Sequence, residues 1–366
     1  MSEADLILYI VVGTALVFDF TNGFHDTANV VATSISTRAM SPRLAVGFAA
    51  VLNFAGAFIS LEVAATVAED IVDPQAITTT IVFAGLVGAI AWNLVTWYYG
   101  LPSSSSHALI GGVVGSAFVA VGADAVFGDG VLGKVLIPAV VAPLLAFVAG
   151  AIAITVCYWV VGNLRPGPVA RGFKLGQVAS GGLLALAHGT NDAQKTMGVI
   201  VLALVASGEL NAGADVPLWV VISAASAIAL GTYTGGWRII KTMGTRILKI
   251  DAAQGFSAQG AGAAVILASS HFGYPLSTTH VISGGVMGAG AGKRLSAVRW
   301  GVAGNIVAAW VLTLPAAAAL GGLTYGITRI FGDGAVGPVV VSVAGLALAG
   351  LAFARRLREP APAATG

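Results

Sequence analysis

Gly23-Phe24-His25-Asp26-Thr27-Ala28-Asn29 and Gly189-Thr190-Asn191-Asp192-Ala193-Gln194-Lys195 decide how this chain is read. Each stretch lies in an apolar run long enough to cross a bilayer, which takes about 20 residues. Each places an acid near the middle of that run. A carboxylate at the centre of a membrane helix costs roughly 2.5–3.5 kcal/mol, so the same acid in the same motif twice is kept for a reason. A second pair repeats in the same order. Pro102-Ser103-Ser104-Ser105-Ser106-His107 precedes Gly111-Gly112-Val113, and Pro275-Leu276-Ser277-Thr278-Thr279-His280 precedes Gly284-Gly285-Val286. Pro143 and Pro315 repeat after them. The chain is a duplication.

Composition agrees with the membrane. Of 366 residues, 57% are hydrophobic and only 9% charged, against about 25% charged in a soluble domain. The mean hydropathy is +0.90. The net charge of +2 has no dense basic patch, so no nucleic-acid partner is expected. The 49 glycines suit close helix packing in lipid. Cys157 is the single cysteine, and no basic segment of a cleavable signal precedes the first apolar run.

Apolar runs are expected as membrane segments at Leu6–Thr37, Leu44–Val67, Ala76–Tyr99, Ser103–Val121, Val131–Gly162, Gly176–Ala206, Pro217–Trp237, Gly255–Phe272, Leu276–Ala291, Trp300–Ile327 and Val336–Ala354. All lysines and arginines except Lys134, Lys195 and Arg329 fall in alternate loops or the tail. The positive-inside rule makes those regions cytoplasmic, with the N-terminus outside and the C-terminus inside. Each half then holds five segments and starts on the opposite side from the other. The expected fold is all-α: residues 1–164 form a first inverted repeat, 165–174 a short cytoplasmic linker, and 175–330 a second repeat. Residues 331–354 add a transmembrane helix and 355–366 a cytoplasmic tail. Ala76–Tyr99 with Ser103–Val121 reads either as two crossings or as one re-entrant hairpin. Gly255–Phe272 with Leu276–Ala291 reads the same two ways. Inverted repeats with interrupted helices mark secondary transporters that bind near the midplane.

Helical spacing places Asn22, Asp26 and Asn29 on one face, joined by Asp19 seven residues before Asp26. Asp192 shares its face with His188 and Lys195. Carboxylates and amide oxygens suit Na⁺ or relay H⁺, so Asn22, Asp26, Asn29 and Asp192 are the candidate coupling-ion residues. In the Ser/Thr motifs, Pro102 and Pro275 are expected to break the preceding helix. The hydroxyl run should then cap a new one. Two helix N-termini, each with free N–H groups and partial positive charge, would clamp a tetrahedral oxyanion. Ser104, Ser105, Ser106, Ser277, Thr278 and Thr279, with Asn191 and Lys195, form the candidate anion site, as a separate set from the ion residues. His107, His280 and His25 are candidate proton relays. No metal ligand set and no cofactor is expected. Two other classes stay open: an intramembrane hydrolase using an Asp dyad or a Ser–His pair, and a passive anion channel. Duplication argues against the hydrolase, because nucleophile and base play unlike roles.

At these motifs the chain resembles the inorganic phosphate transporter family, with its repeated G-x-N-D-x-x-N/K element at Gly23–Asn29 and Gly189–Lys195. The family's P-x-S-S/T-S/T-H element appears at Pro102–His107 and Pro275–His280. Its G-F-H-D-T-A-N form is similar to bacterial low-affinity carriers. The resemblance implies inverted repeats, re-entrant hairpins, a homodimer in the cell membrane, and uptake of phosphate or a metal–phosphate complex coupled to H⁺ or Na⁺. Sulfate is the other tetrahedral anion it admits. His25 departs from the Asn of many members, which leaves the coupling ion open.

The charge pattern is testable directly. On a Cys157→Ala background, Asp70→Cys and Asp215→Cys react with an impermeant thiol reagent added outside, and Arg171→Cys and Lys241→Cys do not. Outside labelling at Arg171→Cys would overturn the five-plus-five arrangement.

Overall fold

The structure, a computed structural model, describes residues 2–358 and contains no strand among them. The first half holds α1 (Glu3–Ser36), α2 (Pro42–Gly56), α3 (Glu62–Glu69), α4 (Thr79–Tyr99) and α5 (Ser105–Ala120). A single turn, α6 (Gly128–Gly130), runs through a wide π segment, Val131–Leu136, into α7 (Ile137–Val161). The second half holds α8 (Pro166–Ala206), α9 (Leu218–Thr234), α10 (Trp237–Lys241), α11 (Ala252–His271), α12 (Thr278–Lys293) and α13 (Trp300–Arg329). α14 (Val336–Arg358) follows. The protein is an all-helical integral membrane protein. By length and apolarity alone, α1, α4, Gly128–Val161 and α13 qualify as crossings, and a bent pair around Gly235 adds a fifth. The other helices are shortened by breaks or diluted by the motif residues they carry.

Several boundaries differ from the hydropathy reading. Leu44–Val67 is not one helix: α2 stops at Gly56 and α3 starts at Glu62. The intervening Ala57, Phe58, Ile59 and Leu61 are apolar, so hydropathy runs through the break. What holds the break is remote. The Gln194 side chain on α8 accepts hydrogen bonds from the backbone N–H groups of Val63 (2.8 Å) and Ala64 (3.2 Å), satisfying the first turn of α3. The matching run, Pro217–Trp237, also breaks. Gly235 takes a left-handed φ of 73°, and the chain bends by 59° between Leu218–Thr234 and Trp237–Arg246.

The supposed linker 165–174 is helical. Pro166 and Pro168 lie in the first turn of α8, where proline removes no helical hydrogen bond, and no breaker follows. The tail assigned to 355–366 begins inside α14, and residues 359–366 lie outside the described residues. The helices before the Ser/Thr motifs end earlier than Pro102 and Pro275. Gly100 (φ 65°) and Gly273 (φ 72°) adopt left-handed conformations beside the ends of α4 and α11, a conformation glycine reaches without a Cβ penalty. The prolines only prevent the helix from resuming.

The two halves pack crosswise. α1 lies against α9 and α8 against α2; α5 lies against α13 and α12 against α7. Glycine permits each of these approaches. A Cβ at Gly23 would land on the carbonyl oxygen of Ile228, and one at Gly189 on that of Asn53. The Gly-Gly-Val helices behave alike: Gly115 meets the carbonyl of Ala318, and Gly288 that of Phe147. Among the basic loops, Asp251 caps α11 and takes hydrogen bonds from Tyr158 of α7 and Lys293 of α12, both at 2.9 Å.

Because backbone cannot yield as a side chain can, Gly189→Ala and Gly288→Ala each destabilise the purified protein by roughly 1–3 kcal/mol through overpacking. Gly13→Ala, inside α1 with open space around it, does not lower the thermal unfolding temperature in detergent, because alanine is the better helix former.

Candidate functional site

The helix starts lie where the hydroxyl runs put them. Ser104 caps α5 by accepting from His107 N–H at 3.1 Å, and Ser277 caps α12 by accepting from His280 N–H at 3.2 Å. Those two hydroxyls are therefore committed to backbone. The next residues point inward, and the two starts meet. Ser106 donates to the carbonyl oxygen of Leu276 at 3.1 Å, so the turn before one motif helix touches the first turn of the other.

α1 and α8 bring their acids to this junction. An oxygen of Asp26, one of Asp192 and a ring nitrogen of His188 all lie within 4.8 Å of one another. Asp26 and Asp192 are 2% and 0% exposed, so their charge has to be answered locally. His25 Nδ1 sits 2.7 Å from Asp26 Oδ1. Ser105 donates to Asp26 Oδ2 (2.6 Å) or Asn22 Oδ1 (2.7 Å). Lys195 Nζ lies 2.5 Å from Asp192 Oδ1, and His188 Nε2 lies 3.1 Å from Asp192 Oδ2. Thr278 donates to Asp192 Oδ2 at 3.2 Å and Thr279 to Asp26 Oδ1 at 3.5 Å. Asn29 Nδ2 donates to Thr279 Oγ1 at 2.9 Å. The expected separation of ion residues from anion residues does not hold: the hydroxyls of the second set bond the carboxylates of the first.

Lys195 spans both halves. Besides Asp192 it donates to Ser106 Oγ (2.5 Å) and to the Leu276 carbonyl (2.6 Å). Asn191 is turned another way, donating to Ser270 Oγ (2.9 Å) and the Tyr274 carbonyl (3.1 Å), where it ties α8 to the turn before α12. The three relay candidates divide. His25 joins the network directly, and its Nε2 reaches Thr96 Oγ1 at 3.1 Å. His107 and His280 instead face each other edge-on, with centroids 4.7 Å apart. His280 stacks on Trp310 at 4.0 Å, and neither ring hydrogen-bonds an aspartate.

The sequence reading missed Asn53 and Thr232. Asn53 Nδ2 donates to Thr232 Oγ1 at 2.8 Å, while its Oδ1 lies 3.2 Å from His188 Nδ1 and so helps orient that ring. The available signal was an isolated Asn inside an apolar run. Thr96 and Ser103, linked at 2.8 Å, support His25 and were likewise not singled out.

Removing one member of a buried ion pair strands the other at about 3–5 kcal/mol, whereas removing both is often near neutral. Lys195→Met therefore lowers stability by about that amount. Adding Asp192→Asn to it recovers most of the loss, read as a coupling energy in a double-mutant cycle of thermal melts.

Comparison with known proteins bears on the family. The pattern of the Phosphate transporter family matches residues 22–321. A Mycobacterium tuberculosis protein described as "Probable low-affinity inorganic phosphate transporter" is 55% identical over 327 residues, covering 89% of this chain and 78% of its own. A Bacillus subtilis protein with the same description is 44% identical, covering 89% of this chain and 98% of its own. A solved structure titled "The sodium-dependent phosphate transporter" superposes with a TM-score of 0.78 at 25% identity, over 88% of this chain and 99% of that one. Its relatives are transporters rather than enzymes, which removes the hydrolase reading, and the chain belongs to the phosphate transporter family.

Proposed function

We propose that this protein is a secondary active transporter that brings inorganic phosphate into the cell with a coupling cation, Na⁺ or H⁺. The observation that carries the reading is the double use of the motif hydroxyls. Ser105 has one hydrogen to give, and in the structure it goes to Asp26 or Asn22. Thr278 likewise gives its hydrogen to Asp192. A cation that neutralises these carboxylates releases the hydroxyls to donate to an anionic oxygen instead. Phosphate then meets Ser105, Ser106, Thr278 and Thr279, the Lys195 ammonium and the N-terminal N–H groups of α5 and α12. Cation and anion favour each other because they compete with a common set of donors in opposite senses. By linkage, each raises the affinity of the other by the same factor.

The crosswise packing supports two repeats of opposite orientation, with α4–α5 and α11–α12 as hairpins whose turns meet at the centre. Rocking one repeat against the other would expose that junction alternately to each side. The polar face of α1 continues past Asn29 through Thr33 to Thr37, and Thr37 donates to Gln177 of α8 at 2.6 Å. That stripe is the reading's inward path.

Radiolabelled phosphate uptake into proteoliposomes, with Na⁺ and pH gradients imposed separately, tests the proposal. Accumulation driven by one gradient is expected. Equilibration without accumulation would make the protein a channel, and sulfate outcompeting phosphate would change the substrate. A hydrogen bond to a charged group is worth roughly 1.5–3 kcal/mol, about 10- to 100-fold in affinity. Ser105→Ala and Thr278→Val each weaken phosphate binding on that scale. Because the same hydroxyls touch Asp26 and Asp192, both variants also flatten the dependence of phosphate affinity on cation concentration. Unchanged affinity in either folded variant would end the paired-clamp account.

A further inference from the structure

The start of α8 carries cations that the protein itself does not answer. No acid occurs between Asp129 and Asp192, and Arg165, Arg171 and Lys174 fall in that interval. Arg165 and Arg171 are exposed, and among the described residues none of the three belongs to an ion pair. Asp251, at the start of α11, is already committed to Tyr158 and Lys293. Arg165 also borders an open groove of about 590 Å³ between the end of α7, the start of α8 and α11. Its other large side chains are apolar: Val161, Leu164, Val169, Phe173 and Phe256. Phe173 and Phe256 join the two helices, with ring centroids 5.8 Å apart. Gly172 leaves the groove open, since a Cβ there would meet nothing within 4 Å. Trp159, near the end of α7, is 84% exposed. Exposed tryptophan on a membrane helix marks headgroup depth, which puts Arg165 beside lipid phosphates and the apolar wall beside acyl chains.

We propose that this groove binds an anionic phospholipid, with its phosphate on the Arg165 guanidinium and an acyl chain along Val161, Leu164, Phe173 and Phe256. Arginine meets phosphate through parallel N–H donors. α8 begins here without a side-chain cap, and its positive end adds to the attraction. No carboxylate lines the groove, so a zwitterionic headgroup finds no partner for its amine. A second copy of the chain is a poorer occupant. Two-fold pairing through this face would set the cations of one copy against the same cations of its partner, whereas a lipid phosphate answers them. The bound lipid would hold α8, which carries Asp192 and Lys195, against α11. This site goes beyond the transport reading and does not depend on it.

Native mass spectrometry of the purified protein, titrated with phosphatidylglycerol or phosphatidylcholine of identical acyl chains, tests the site. Wild type is expected to retain one phosphatidylglycerol in preference to phosphatidylcholine, and inorganic phosphate should not displace it. A cation near the headgroups contributes about fivefold to anionic-lipid binding, so Arg165→Gln should lose at least that. Arg171→Gln removes the same charge from the same helix outside the groove and should lose less. Gly172→Leu keeps every charge and fills open space, so it should weaken phosphatidylglycerol retention through the chain alone. These are surface changes, and melts in lipid-free detergent confirm that the variants fold. Equal losses in Arg165→Gln and Arg171→Gln would reduce the effect to general surface attraction and overturn the proposal. Unchanged retention in Gly172→Leu, or displacement by inorganic phosphate, would overturn it as well. Lipid held by a monomer and expelled from a dimer would give the groove to a second copy instead. Failure of the uptake assay would count against the transport reading and not against this site.

Discussion

The Lys195 ammonium is the contact on which the centre of this protein depends. A lysine charge in the middle of a membrane helix is as costly as a carboxylate, and here all three of its donors are used inside the protein. One donor goes to Asp192 on its own helix, one to the first turn of α5, and one to the turn that leads into α12. A single side chain thus neutralises one acid and holds two motif helices at a common point. Close to it, the carbonyl of Leu276 also accepts from Ser106, so the junction consists of groups that satisfy one another. That is the condition under which polar groups survive burial.

Around this point the glycines set the distances. Gly23 and Gly189 let α1 and α8 lie backbone to backbone on α9 and α2, while Gly115 and Gly288 do the same for α5 and α12 against α13 and α7. Each helix that carries chemistry is seated on a helix from the other half. Movement of one half past the other therefore changes the surroundings of both aspartates together. Under the proposed function, hydroxyls shared between the carboxylates and the anion would couple charge at one place to hydrogen-bond supply at another.

Much of this is legible in the sequence. Asp26 and Asp192 stood out because acids are expensive in apolar runs, and the repeat showed that each has a counterpart. Serine and threonine ahead of a Gly-Gly-Val run marked helix starts, and Ser104 and Ser277 are those caps. The failures have separate causes. Hydropathy averages over a window, so it passes through Ala57–Leu61, which is apolar and yet not helical because Gln194 caps α3 from another helix. The expectation from proline chemistry gave Pro102 and Pro275 the stops that Gly100 and Gly273 make.

By itself, then, the sequence determined what is local or additive: the membrane class, the gathering of basic residues into alternate loops, the repeated motifs, the positions of the buried acids and the places where helices begin. Only the tertiary structure decided which of those groups touch. Ser105 bonds Asp26, Thr278 bonds Asp192, Asn29 bonds Thr279, and His107 turns to His280 instead of to an acid. These pairings depend on the depth and rotation of each helix relative to helices far away in the chain. Periodicity specifies which face of a helix is polar. It leaves open which polar face it meets, and at hydrogen-bond range a shift of one residue's rise, about 1.5 Å, is enough to exchange one partner for another.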